Sequence, residues 1–110
     1  MSNRNEKSIK ECFINEIEPT DDRVLFVGRV VNSSVNTLLI DDGRGKIVVV
    51  SSSASKHKPG DVVRIFGAVV AEKNESFYIN AEIIQNFNGL NVSLYQELLT
   101  LKKNILLKMI

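Results

Sequence analysis

The sequence predicts an all-β protein: a small closed barrel of five strands followed by one C-terminal α-helix. Three observations point there. Residues 23–31, RVLFVGRVV, are apolar on both faces and carry a glycine near their centre. Four further short apolar runs follow, separated by Gly-, Asp- and Pro-containing turns, and no helical pattern of about 10–15 residues lies between them. From Asn86 onward the apolar residues recur with the period of a helix instead of a strand.

Residues 1–10 read as a flexible polar arm, and residues 11–110 as a single domain whose helix covers about 92–108. Within ECFINEIE, residues 11–18, Phe13, Ile14 and Ile17 suit a short extended or single-turn segment lying against the barrel. Pro19-Thr20-Asp21-Asp22 is a turn. In the first strand Val24, Phe26, Gly28 and Val30 form one face. Leu25, Val27, Arg29 and Val31 form the other. A strand apolar on both faces must be covered on both, and a central glycine marks a bend or a close backbone approach. Such a strand can serve both sheets of a highly coiled barrel. Residues 35–40 make the second strand, DDGRG a hairpin turn with glycines placed for positive φ, and residues 46–50 the third strand. SSSASKHK has room only for a very short helix. Pro59-Gly60-Asp61 launches the fourth strand, 62–70, where Gly67 repeats the signal of Gly28. A turn at 72–75 leads into the fifth, 77–84. Five short strands in a meander with a final amphipathic segment suggest an OB-type barrel.

Asn91 or Ser93 can cap the helix, and Ser93 with Gln96 matches a capping box. Leu94, Leu98, Leu101, Ile105 and Met109 then follow at spacings of 4, 3, 4 and 4. Tyr95, Leu99 and Leu106 form a second stripe beside them, interrupted by Lys102. Ser93, Gln96, Glu97, Thr100, Lys103 and Asn104 fall on the far side. The apolar arc spans about 160°, wider than the ~100° needed to dock on one core. If Leu94, Leu98 and Leu101 enter the core, Tyr95, Leu99 and Leu106 stay exposed, at roughly 1.5–3 kcal/mol of forgone burial each. A patch of that kind marks an interface. The sequence does not assign one stripe to the barrel and the other to the partner; Leu94, Tyr95, Leu98, Leu99, Leu101 and Ile105, drawn from both, are the expected partner-binding residues, with an isologous dimer through the same helix as the competing form of assembly.

Composition narrows the function. The 110 residues are 44% apolar and 25% charged, ordinary for a folded soluble domain, and the net charge is +1. A chain living by phosphate contacts alone would show a marked basic excess. The polar start lacks the apolar core of a signal peptide, and no apolar run approaches membrane-spanning length. Cys12 is the only cysteine, which excludes an intrachain disulfide and a cysteine zinc cluster and suits a reducing compartment. Asn-x-Ser triplets at Asn32, Asn74 and Asn91 are read as chance. His57, the sole histidine, sits between two lysines in the serine-rich loop and reads as an exposed loop residue. Cys12 has no evident base, Asp41 and Asp42 read as turn formers, and Gly43-x-Gly45 opens no helix, so it is not a phosphate loop. No catalytic site, cofactor or metal is expected.

Nucleic-acid binding remains open. An OB barrel holds single strands on the face of its second and third strands, using cations for phosphates and aromatics for stacking. Strand alternation turns Arg29 outward, sets Lys46 near Arg44, gives Arg64 and Phe66 one outer face, and turns Tyr78 outward. Neither candidate loop holds an aromatic, so weak, salt-sensitive contact is expected of the isolated chain.

The blocks VLFVGRV, LLIDDGRGKIVV and KPGDVVRIFG resemble OB domains of the replication protein A group. The block NGLNVSLYQELLTL, residues 88–101, with CFINEI at 12–17, resembles the smallest subunit of the CST telomere complex. The smallest subunit of replication protein A, with a comparable Leu-Tyr at the helix start, is the alternative. The resemblance implies a non-catalytic nuclear subunit at chromosome ends that pairs, helix on helix, with the larger, medium OB-fold subunit. It implies that Leu94, Tyr95, Leu98, Leu101 and Ile105 meet the partner, that Gly89 and Asn91 shape the strand-to-helix turn, and that single-stranded telomeric DNA is the ligand of the complex. A stand-alone OB module reading structured RNA and a purely structural homodimer are the rivals from other classes.

Overall fold

A computed structural model describes residues 9–108. Most of the arm expected over residues 1–10, and Met109 of the first helical stripe, lie outside that range. The elements are β1 (Ile9–Glu11), β2 (Arg23–Ser33), β3 (Thr37–Asp41), β4 (Lys46–Val50), β5 (Val62–Ala71), β6 (Phe77–Asn86) and α1 (Val92–Lys108), with short 3-10 turns at Ile14–Glu16, Ala54–Lys56 and Lys73–Glu75.

β2 organises the barrel as its double apolarity requires. Its first part pairs with β5, Arg23 opposite Ala68 through Arg29 opposite Val62. From Arg29 onward it pairs with β3. The change of partner falls beside Gly28, where a Cβ would lie 2.5 Å from Ile40 Cγ2 and 3.2 Å from the Asp41 carbonyl oxygen. Only glycine lets the two backbones cross that closely. A bulge then leaves Val31 as the extra residue between Val30 and Asn32. Gly67 makes the second tight approach, 2.6 Å from a would-be Cβ to the Asn80 carbonyl oxygen, next to a register shift in β5–β6.

The strand order departs from a plain meander. β5 returns along β2, so its hairpin partner β6 lies between β5 and β4, and it meets β4 in parallel at Val49–Ile79. That short parallel contact closes the barrel. β1 is a sixth strand, parallel to β2 with Ile9 opposite Arg23 and Glu11 opposite Leu25. β3 pairs only with the far part of β2, so β1 covers an edge that would otherwise stay open. Ile9 and Lys10 therefore belong to the fold and not to an arm.

Val24, Phe26 and Val30 of β2 meet Leu38, Ile40, Val49, Val63, Ile65 and Ile79 in the barrel core, which Cys12, Ile14 and Ile17 plug from one end. Phe13, Val27, Val62 and Leu99 are buried too, but outside that cluster. Gly89, at φ 96°, turns the chain out of β6. Asn91 then caps α1, its Oδ1 accepting the Leu94 N–H at 3.0 Å. The cap is Asn91, and the expected Ser93–Gln96 box does not form because Gln96 is used elsewhere.

Candidate partner and nucleic-acid interfaces

α1 docks on the mouth of the barrel through its mixed side. The Tyr95 hydroxyl donates to Glu11 Oε2 at 2.8 Å, and Gln96 Nε2 donates to the Asp42 carbonyl oxygen at 2.6 Å. Lys102 Nζ reaches Glu11 at 3.2 Å and Lys103 Nζ reaches Glu16 at 3.0 Å. Leu99, at the centre of these ties, is 4% exposed. Burial works to raise the Glu11 carboxyl, but hydrogen bonds from Tyr95 and Lys102 and the nearby Arg64 charge outweigh it and hold it below its ordinary value. Glu16 is likewise depressed: burial is overcome by the Phe13 backbone N–H and by Lys103. Burial, then the Glu11 carboxylate, push the Tyr95 phenol up, so it stays a donor.

Asp42, legible in the sequence only as a turn former, lies under this mouth. It is 6% exposed. Its Oδ2 accepts the Ile14 N–H at 2.8 Å, and its Oδ1 accepts the N–H groups of Arg44 and Gly45 at 2.9 and 3.1 Å. One carboxylate therefore joins the hairpin to the N-terminal turn, while its own carbonyl holds α1. Asp41 is an ordinary turn former, accepting the Gly43 N–H at 2.7 Å. Nothing in DDGRG tells the two apart; only the fold brings Ile14 to the second aspartate.

The sequence alone does not say which helical stripe faces the barrel; the structure divides them against the lid arrangement. Tyr95 and Leu99 turn to the barrel. Leu94, Leu98, Leu101 and Ile105 stay 50%, 55%, 54% and 49% exposed, and Leu106 joins them outside. Of the six expected partner residues, Leu99 is buried and Tyr95 is half-buried against the chain's own barrel, and the other four form one outward row. Gln96 and Lys103, assigned to the far polar side, are contacts to the barrel.

The expected nucleic-acid residues do not gather on one face. Arg44 stacks over the Phe13 ring at 3.9 Å and borders a groove against Gln96, Thr100 and Asn104 of α1. Arg64 donates to Gln85 at 2.8 Å, lies over the Phe87 ring at 4.9 Å, and shares with Phe66 an outer groove that Ile9, Leu25 and Ile83 also line. Tyr78 is half-buried opposite Val70. Arg29 and Lys46 are exposed and flank Asp41 in one cross-strand row. Lys46 borders a groove of about 340 Å³ with Leu39, Val48, Ser76 and Phe77. That groove runs over β3 and β4 toward the β5–β6 turn. Phe77 is its aromatic, at a strand start and not in a loop.

Of the residues weighed for catalysis, Cys12 is buried, and His57 is half-buried and not the exposed loop residue expected. Burial pushes the Cys12 thiol up to about 11, so at neutral pH it is not a thiolate nucleophile. His57 follows the 3-10 turn Ala54–Lys56, half-buried, with Nδ1 lacking a hydrogen-bond partner among the described residues. Among the described residues no acidic, Cys or His cluster could hold a metal, and no helix is long and apolar enough to cross a membrane.

A five-stranded barrel closed by a parallel β4–β6 contact and mouthed by a C-terminal helix defines the class: this is an OB-fold protein. Among solved structures, the telomere capping protein Ten1 from Saccharomyces pombe matches with a TM-score of 0.71 at 20% identity, over 88% of this chain and 99% of that one. The S. pombe Stn1–Ten1 complex matches with a TM-score of 0.70 at 19% identity, over 89% and 94%. A replication protein A heterotrimer bound to single-stranded DNA follows at 0.67 and 20%, over 84% and 91%. No family model and no curated protein sequence matches the chain.

Proposed function

We propose that this chain is a non-catalytic OB-fold subunit of a single-stranded-DNA-binding complex at chromosome ends, paired through α1 with a larger OB-fold subunit. One observation carries the reading: Leu94, Leu98, Leu101 and Ile105 form an unbroken outward row on a helix already fixed to its own barrel. Leaving these half-exposed side chains in water forgoes roughly 3–6 kcal/mol in total, which a partner helix recovers. The likeness to telomere-capping and single-strand-binding assemblies supports the kind of partner, and the near-balanced charge suits a subunit that adds modestly to DNA binding. Its share falls to Arg29, Lys46 and the Phe77 groove.

The test is co-expression with the larger OB-fold subunit of the same complex. Leu98→Glu together with Leu101→Glu should abolish co-purification while the isolated chain melts normally, since both sites are exposed. A folded double variant that still co-purifies at the wild-type level refutes the interface. The nearly equal likeness to the replication protein A heterotrimer favours one second reading, the smallest subunit of a general replication and repair complex. Competition between telomeric-repeat and scrambled oligonucleotides for the assembled complex separates the two: only a telomeric complex discriminates.

A further inference from the structure

The outward row of α1 has a finer pattern than amphipathicity. Leu94, Leu98, Leu101 and Ile105 are spaced 4, 3 and 4, so they alternate between positions d and a of a heptad. Leu94 and Leu101 take d; Leu98 and Ile105 take a. Tyr95 and Lys102 then fall at e, and Glu97 and Asn104 at g. Leucine at d with a β-branched residue at one a suits two parallel strands.

The flanking charges identify the second strand. In a parallel pair, each g residue faces the e residue five places further along the other helix. Glu97 at g stands five residues before Lys102 at e. A second copy of this chain therefore supplies the matching charge at both flanks, as two symmetric Glu97–Lys102 pairs. Glu97 is exposed and the Lys102 side chain is 64% exposed, so both can reach outward even though Lys102 also approaches Glu11. The docking contacts of each helix run through Tyr95, Gln96, Leu99 and Lys103, away from the row, while Glu97 and Leu101 border a groove with Arg44 at its edge. Docking has already met the cost of forming each helix, which a free peptide of this length would pay on pairing.

We infer that the chain self-associates as a parallel, two-fold symmetric dimer through this row when no other subunit covers it. The same surface cannot serve two partners, so self-association and pairing with a different subunit exclude one another. The inference rests on the exposed row and not on the identity of the partner proposed above, and either can fail alone.

Sedimentation equilibrium of the full chain at low salt, from micromolar to millimolar concentration, tests it. Glu97→Lys and Lys102→Glu should each weaken dimerisation about tenfold, because each exchanges two attractive pairs for two repulsive ones. An equimolar mixture of the two variants should regain wild-type association, since the lysine of one meets the glutamate of the other at both flanks. Loss of fold in either variant cannot produce that recovery. As a second measurement, Leu101→Cys should cross-link to itself under mild oxidation, because d faces d only in a parallel pair; Cys12 is buried and does not compete. A chain that stays monomeric throughout, or a mixture that fails to recover together with no Leu101→Cys cross-link, overturns the inference.

Discussion

Replacing Asp42 by Asn changes one atom and should be costly. Two carboxylate oxygens accept three backbone N–H groups, from Ile14, Arg44 and Gly45, at 2.8, 2.9 and 3.1 Å. An amide has one acceptor oxygen. If it stays toward the hairpin, an NH₂ group faces the buried Ile14 N–H, donor against donor. If it flips, the hairpin loses its acceptor. A lost bond to a charged acceptor and a stranded buried donor together cost about 2–4 kcal/mol. For a domain of this size that is a fall in Tm of roughly 10–25 °C. Urea denaturation gives the energy, and hydrogen exchange at the Ile14 amide shows where it is lost. Asp41→Asn is the control: its carboxylate accepts one exposed N–H, so the cost should stay under about 1 kcal/mol. An Asp42→Asn variant within about 0.5 kcal/mol of wild type, with Ile14 still protected, would refute the assignment of this carboxylate as the junction.

Gly28→Ala forces a methyl to within 2.5 Å of Ile40 Cγ2 and 3.2 Å of a backbone oxygen, and should destabilise by about 1–3 kcal/mol; a neutral effect in urea melts would show that the crossing can relax. Glu11 and Glu16 are depressed in the folded state, so their contribution is fully present above the ordinary glutamate value and is lost as pH falls through their lower folded values. A Glu11→Gln, Glu16→Gln variant should therefore lose less stability than wild type between neutral pH and about pH 3, and matching stability–pH curves would remove these carboxylates from the account. Reversing Arg29 and Lys46 to Glu should weaken DNA binding by the assembled complex and flatten its salt dependence by about two phosphate contacts, with assembly intact; unchanged affinity at low salt would reduce both to ordinary surface.

The barrel was legible because its signals are local. The double apolarity of β2, the glycines at 28 and 67 and the DDGRG turn each announce a backbone need that the fold then meets. β1 was not legible: three residues in a polar stretch carry no period, and only the half-free edge of β2 makes Ile9–Glu11 a strand. The same holds for the site. Arg29 and Lys46 were readable from alternation. Arg44 and Arg64 were readable as outward cations, but their stacking on Phe13 and Phe87 depends on residues brought from other segments. Asp42 looks like a turn former because it is one; its second role comes from Ile14, 28 residues away.

The orientation of α1 shows why counting leucines misleads. A helix with its leucines along one stripe is expected to bury that stripe in its own domain. Which side docks, however, depends on what the barrel mouth presents. Here it presents two carboxylates and a main-chain carbonyl, from Glu11, Glu16 and Asp42. Leucines laid over them would strip these acceptors of water and return no donor, at a cost of about 1–3 kcal/mol or more for each. A stripe with a phenol, an amide and two ammonium groups around a single Leu99 satisfies them all. The apolar row is thus outward because the polar row is needed inward, and its exposure is set by acceptors 54 and 84 residues away in the chain.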